Sequence, residues 1–313
     1  MTDLPAAWHA ALRQRRELFD LADPHTCLRL LHAEDESMRC DRFGPVCWFY
    51  RYAAGMPTRD ELSWCESLTS AAGSKHWHVH GMQDRGRDPN SRRHAASAAA
   101  PAAWHGDENG LRFGLRAGSG QSPGLFLDQR DNRLWVRQHA EGARILNLFA
   151  YTGGFGIAAL SGGAEQVFQV DVSRSYLDWA RDNTAANDLA HEADRVEYSA
   201  VDARLLVAGC RKRGRRFDGI VCDPPSFGRG RGRRDVFRIE RDLADLVRAC
   251  VDLINPGGWL LVSSNYEGWS QARFEATVAD SRTTLEPAPG AGADFRSGGS
   301  KPLLKSCILR LTR

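Results

Sequence analysis

Lysine is scarce in this chain. Of the 42 basic residues, only Lys75, Lys212, Lys301 and Lys305 are lysine, and the other 38 are arginine. Together with alanine-rich tracts, that skew suggests a GC-rich genome, so arginine runs carry less information here than usual. Long apolar runs are absent as well. No stretch reaches the ~18 uninterrupted apolar residues of a membrane helix. Met1–Arg16 shows neither the apolar core nor the cleavage site of a signal peptide. A cytoplasmic protein with no membrane partner is therefore expected. Paired cysteines are missing too. Cys27, Cys40, Cys47, Cys65, Cys210, Cys222, Cys250 and Cys307 form no C-x-x-C motif, which argues against a zinc ribbon or a thioredoxin-type site. They read as small hydrophobes in a reducing compartment. There is no internal repeat and no G-x-G-x-x-G dinucleotide fingerprint.

What is present suits a folded protein. The 313 residues are 42% hydrophobic and 26% charged, enough for one large domain or two modest ones with a buried core. Net charge is only +3 but unevenly placed: Arg204 to Arg241 hold twelve basic residues against four acids, a local +8, leaving −5 elsewhere. A basic segment on an otherwise acidic chain points to a polyanionic partner, the competing reading being a solvated surface.

Three textures follow one another. Residues 1–82 combine two helical stretches (Ala6–Leu21, Arg59–Ala72) with short apolar runs (Cys27–Leu31, Val46–Tyr52). Residues 83–107, polar and then alanine-rich, read as a loop or linker. The domains expected are thus 1–107, small and α+β, and 108–313. Short apolar strands then alternate with helices: Arg144–Phe149, Gln166–Val170, Val196–Ser199, Phe217–Cys222, Trp259–Ser263 and Ser306–Leu311. The helix over Asp235–Ile254 shows i, i+3, i+4 spacing in Leu243, Leu246, Val247, Cys250 and Val251, and Pro256-Gly257-Gly258 stops it. Repeated β-α units predict an α/β fold with a parallel sheet covered on both faces. Ligands of such sheets bind beyond the carboxyl ends of the strands.

Those ends carry an ordered series. The first strand runs into Asn147-Leu-Phe-Ala-Tyr-Thr-Gly-Gly-Phe-Gly156, where glycines allow close approach of a ligand. The second ends at Asp171, placed to accept ribose hydroxyls. The third leads to Asp202, for which a helix N-cap is the competing reading. The fourth ends in Asp223-Pro-Pro-Ser-Phe227, where prolines fix φ and hold the acid rigidly.

With this series the chain resembles class I S-adenosylmethionine-dependent methyltransferases. It is most similar to bacterial 23S rRNA base methyltransferases: the large-subunit cytosine-C5 enzyme and the C-terminal half of the bifunctional guanine enzyme. The likeness lies in Gly124-Leu-Phe-Leu-Asp-Gln-Arg130, Leu146-Asn-Leu-Phe-Ala-Tyr-Thr-Gly-Gly154, Asp171-Val-Ser-Arg-Ser-Tyr-Leu-Asp-Trp-Ala180 and Asp223–Phe227. It covers about residues 108–313, and Arg29–Glu34 with Asp41–Gly44 resemble the small preceding domain of the cytosine-type enzymes. The resemblance implies a Rossmann-like seven-stranded sheet, S-adenosylmethionine as cofactor and 23S rRNA or a large-subunit precursor as partner. It places the cofactor against Phe126, Asp128 and Arg130, against Phe149, Tyr151, Thr152 and Gly153, and against Asp171, Val172, Asp202, Ala203 and Asp223. Asp223, Pro224, Pro225, Phe227 and Asn265 would face the target base. Arg229, Arg231, Arg233 and Arg234, in a Gly-Arg repeat suited to phosphates and stacked bases, would meet RNA. Arg211–Arg216 forms a second basic run.

Methyl transfer from a sulfonium needs alignment and no metal. His76, His78 and His80 alternate as on one strand face; a metal site is possible, a polar face preferred. Cytosine C5 chemistry requires a thiolate to add to the ring. In Leu260-Leu-Val-Ser-Ser-Asn-Tyr-Glu-Gly268, Asn265 stands where the cytosine-type enzymes have cysteine, and the guanine-type half reads Ser-Asn-Asn there. Guanine is the preferred base, with cytosine C5 and RNA binding without turnover as alternatives.

Overall fold

The computed structural model describes residues 4–82, 93–120, 122–189, 194–225, 237–295 and 303–312. The chain forms two units, Met1–Arg130 with Ala291–Lys301, and Asp131–Gly290 with Pro302–Arg313.

The first unit contains α1 (Ala6–Leu18), β1 (Cys27–Leu31), β2 (Met38–Phe43), β3 (Val46–Arg51), α2 (Arg59–Ala71), β4 (His76–Gly81), β5 (Arg93–Ala96), β6 (Ala103–Glu108) and β7 (Leu111–Arg116). Strands β1 to β5 make a sheet in chain order, antiparallel except where α2 carries the chain from β3 to a parallel β4. Thr58 and Glu61 start α2 with a reciprocal capping box. Alternate strand residues Leu28, Leu30, Cys40, Cys47 and Phe49 pack with Trp8 and Leu12 of α1 and Cys65 and Leu68 of α2. Strands β6 and β7 form a hairpin across Asn109-Gly110, both left-handed as a two-residue hairpin turn requires.

That hairpin moves the expected boundary. Trp104 donates its indole N–H to the Phe43 carbonyl (2.9 Å), and the Asp107 amide donates to the His25 carbonyl (2.7 Å). The first unit therefore runs to Arg130, not 107. Part of the alanine-rich stretch is strand β5, while 83–92 lies outside the described residues. The histidine strand packs inward. His78 and His80 are buried, His80 stacked on Trp48 (ring centroids 3.9 Å) and His78 on Trp104 (6.1 Å). They form part of an aromatic layer.

The excursion 291–295 completes this unit. Asp294 is fully buried, accepts the Arg130 guanidinium at both oxygens, and takes the Arg29 amide at 2.8 Å. Arg15 donates to its carbonyl at 2.9 Å. Phe295 lies 4.5 Å beneath the Arg29 guanidinium, which also pairs with Asp41.

The second unit continues from α3 (Arg130–Gln138) through β8 (Arg144–Leu148), α4 (Gly154–Ser161), β9 (Gln166–Asp171), α5 (Arg174–Ala185), β10 (Val196–Ala200), α6 (Ala203–Lys212), β11 (Phe217–Cys222), α7 (Ile239–Val251), β12 (Ile254–Ser264), α8 (Gln271–Val278), β13 (Thr283–Pro287) and β14 (Lys305–Leu311). The seven-stranded sheet has the order β10-β9-β8-β11-β12-β14-β13. Five strands are parallel, and β14 runs antiparallel to both neighbours. Helices cover both faces: Val207, Leu243, Leu246 and Phe274 seal one core, Val136, Phe155 and Ala159 the other. Pro256-Gly257-Gly258 forms a register jump inside β12, Ile254 pairing with Phe217 and Trp259 with Gly219. The run Arg211–Arg216 precedes β11 at the amino edge of the sheet. Arg211 pairs with Asp252 (2.9 Å), and Arg216 caps the Ile254 carbonyl (3.1 Å).

Candidate active site

Strand register brings the sequence-predicted acids to one edge. Leu148 pairs with Val170 and with Cys222, and Cys222 pairs with Val262. Phe149, Asp171, Asp223 and Ser263 therefore stand one residue further along four adjacent strands. Ala200 pairs with Asp171, which sets Asp202 two residues beyond on the fifth.

The turn after β8 is strained. Phe149, Tyr151 and Gly153 all have positive φ (57°, 50° and 86°), and the two aromatic residues pay roughly 1–2 kcal/mol each for it. Hydrogen bonds hold the turn. Ala150 donates to Val170 (2.9 Å), Gly153 to Ala150 (2.8 Å) and the Tyr151 amide to the Asp171 carboxylate (3.0 Å). The Asn183 amide of α5 donates to the Thr152 carbonyl (3.0 Å), and Gln169 donates to the Gly153 carbonyl (3.3 Å). Gln169 is itself fixed by Asn147 on the neighbouring strand (2.7 Å). The glycines follow from this packing: a Cβ on Gly153 would meet that of Ala180 at 2.7 Å, and one on Gly156 would meet the Gln169 amide at 2.1 Å. Phe149 packs edge-on against buried Phe237 (5.3 Å), and Tyr151 against Tyr176 (4.6 Å).

Asp171 accepts from Tyr151 with one oxygen and from the Ser173 amide with the other (2.8 Å). Burial raises its pKa above the usual value, and the backbone amides of Ser173, Tyr151 and Val172 oppose that rise. Val172 beside it is 62% exposed, an unusual setting for an apolar side chain. Asp202 caps α6 through the Arg204 amide (2.8 Å) and accepts the Arg204 guanidinium, which holds it below the usual carboxylate range. Ala203 begins the helix and is buried. Asp223 accepts a 2.6 Å hydrogen bond from Ser263; Pro224 is buried, Pro225 exposed, and Asn265 exposed just past β12.

Phe126, Asp128 and Arg130 belong to the first unit. Phe126 is 45% exposed, Asp128 half-buried, and the Arg130 guanidinium pairs with Asp294 and lies over the Phe19 ring (4.8 Å). Phe227, Arg229, Arg231, Arg233 and Arg234 lie outside the described residues. Sequence reasoning missed Ser263, Gln169, Asn183 and Arg204. Asn147 and Gln169 did carry a signal, being amides within apolar strands, where a buried polar group needs a partner.

The donor set fits S-adenosylmethionine. Asp171 offers a carboxylate for a diol, Val172 an apolar surface for a purine, and the Gly153-Gly154 turn a backbone without side-chain bulk. Among the described residues, no group of three His, Cys, Asp or Glu is placed to hold a metal.

Comparison with known proteins agrees with this arrangement. The structure of SMU.776 complexed with SAH superposes with a TM-score of 0.80 at 22% identity, covering 97% of this chain and 80% of that one. A SAM-dependent methyltransferase from Agrobacterium tumefaciens gives 0.68 at 19% identity, covering 92% and 90%. Ribosomal RNA large subunit methyltransferase I of Salmonella arizonae is 35% identical over 210 residues, 65% of this chain and 50% of the relative. The same-named protein of Photobacterium profundum is 39% identical over 174 residues, 56% of this chain and 43% of the relative. The chain thus spans about half the length of the curated relatives it matches. A family model described as S-adenosylmethionine-dependent methyltransferase matches residues 58–278. On fold, strand-tip chemistry and this match together, the chain belongs to the S-adenosylmethionine-dependent methyltransferases.

Proposed function

We propose that this methyltransferase modifies a base of large-subunit (23S) ribosomal RNA at a nitrogen, with guanine preferred. The ribosomal RNA substrate is supported by the names of the relatives and by the basic segment between Arg204 and Arg241. The nitrogen is supported by one observation: all eight cysteines are buried. Cys222, the nearest in sequence to Asp223, is fully buried, and burial drives its thiol well above the usual range. Addition of a thiolate to cytosine C6 has no accessible group here, and Asn265 occupies the strand end where that thiol would stand. Guanine N7 carries its own lone pair and needs no covalent activation.

In this reading S-adenosylmethionine supplies an electrophilic methyl group. Asp171 holds the ribose, and Val172 lies against the adenine. Asp223, pinned by Ser263 and followed by two φ-restricted prolines, orients the base edge in line with the methyl. Asn265 contributes a further polar contact. Asp171→Ala removes charge-assisted hydrogen bonds worth roughly 1.5–3 kcal/mol, so affinity for the cofactor falls by about 10- to 100-fold in calorimetry. Unchanged affinity would remove Asp171 from the site.

The substrate is tested by methyl transfer from labelled cofactor to 23S rRNA, followed by mass spectrometry of the nucleosides. A methylguanosine product supports the proposal, and absence of transfer favours RNA binding without turnover. RNA carrying 5-fluorocytosine should give no covalent adduct on a denaturing gel, because no thiolate attacks the ring. A cofactor-dependent adduct abolished by one cysteine replacement would restore cytosine C5.

A further inference from the structure

Arg204 breaks a local rule. It is the second residue of α6, where a cation opposes the helix dipole, and the first turn contains no acid. Two carboxylates offset the cost. Asp202 accepts Nε at 3.0 Å and Nη2 at 2.7 Å, a two-pronged contact, and Asp242 of α7 lies 3.6 Å from Nη1. Asp242 is held in turn by the Arg238 amide and the Arg241 guanidinium, both at 2.8 Å. Helix capping does not need this fork. Ser173 and Ser270 cap α5 and α8 with a hydroxyl alone, and the Arg204 amide already supplies the cap bond to Asp202. The guanidinium adds a fixed carboxylate plane and a standing opposition to protonation.

We infer that Arg204 is a positioning residue that sets the preference of the cofactor site for a purine bearing a 6-amino group, given the reading in which Asp202 meets the adenine edge. An ionised carboxylate only accepts hydrogen bonds, so it suits an amino donor and repels a 6-oxo group. A carboxyl without restraint adapts to a 6-oxo group by rotating or by taking up a proton. Arg204 opposes both adaptations, and Asp242 anchors Arg204 from its far side. Discrimination at this edge then depends on a residue acting through Asp202.

The test is calorimetry on the full chain with S-adenosylhomocysteine and its hypoxanthine counterpart, S-inosylhomocysteine. The wild type should prefer the adenine compound by about tenfold or more, the scale of one charge-assisted hydrogen bond. Arg204→Met should bring the two affinities to within about threefold, chiefly by weakening the adenine compound, and Arg204→Lys, which keeps charge without the fork, should fall between. Asp202→Asn, whose amide can turn a donor or an acceptor outward, should bind both about equally. If Arg204→Met fails to fold, Arg204→Lys carries the same comparison. An unchanged affinity ratio in variants that bind S-adenosylhomocysteine overturns the role of Arg204 and leaves the cofactor site standing. A wild type that binds neither compound overturns the cofactor site itself, and the inference with it.

Discussion

Asp223→Ala is expected to reduce the turnover number by about 100- to 1,000-fold, the scale for losing one preorganised polar group at a reacting centre. Affinity for S-adenosylhomocysteine should change little by comparison. The asymmetry follows from where the carboxylate stands. It leaves β11 one residue beyond the last ladder pair, takes its hydrogen bond from Ser263 across the sheet, and is followed by a buried and an exposed proline. The turn that follows β8 and Asp171 are held by hydrogen bonds of their own. Single-turnover rates beside calorimetric affinities make the measurement. If affinity falls as steeply as turnover, Asp223 serves the cofactor and not the base.

The second large effect concerns stability. Asp294→Ala should cost about 3–5 kcal/mol, because removing one partner of a buried ion pair leaves the other charge uncompensated. Arg130 would lose both carboxylate contacts, and the Arg29 amide its acceptor. Urea unfolding followed by tryptophan fluorescence would report it, since Trp8, Trp48 and Trp104 are buried in the first unit. Asp294→Asn keeps the shape and loses the charge, so it should also destabilise. A loss below about 1 kcal/mol would match a solvent-exposed pair instead.

Much of the catalytic unit was legible because its signals are local. Apolar strands such as Gln166–Val170 and Phe217–Cys222 end close to where the sequence places them, since a strand buried on both faces has few polar residues to blur its limits. Asp202 illustrates the limit of such reading. Its place at a helix start was visible, but the fork from Arg204 depends on a rotamer and on Asp242, 38 residues beyond Arg204 in sequence. Arg130 shows the same limit more sharply. Its motif points to a ligand contact, and nothing in the sequence indicates that it also pairs with Asp294, 164 residues later. The hairpin β6–β7 was split between the linker and the second domain for a related reason. Alternation and the Asn-Gly turn identify a hairpin, but only Trp104 reaching Phe43 shows which core it joins. His78 and His80 looked polar by composition, and stacking on tryptophan put them inside.

The return of residues 291–295 to the first unit also constrains the order of events during synthesis. Arg15, Arg29 and Arg130 leave the ribosome long before their shared partner. At about 5–20 residues per second, the 164 positions from Arg130 to Asp294 represent on the order of 10–30 s of translation. Throughout that interval the amino-terminal half holds three arginines destined for a buried acid that does not yet exist. It cannot reach its final state until residues 291–295 have emerged, and it waits, partly formed, until then.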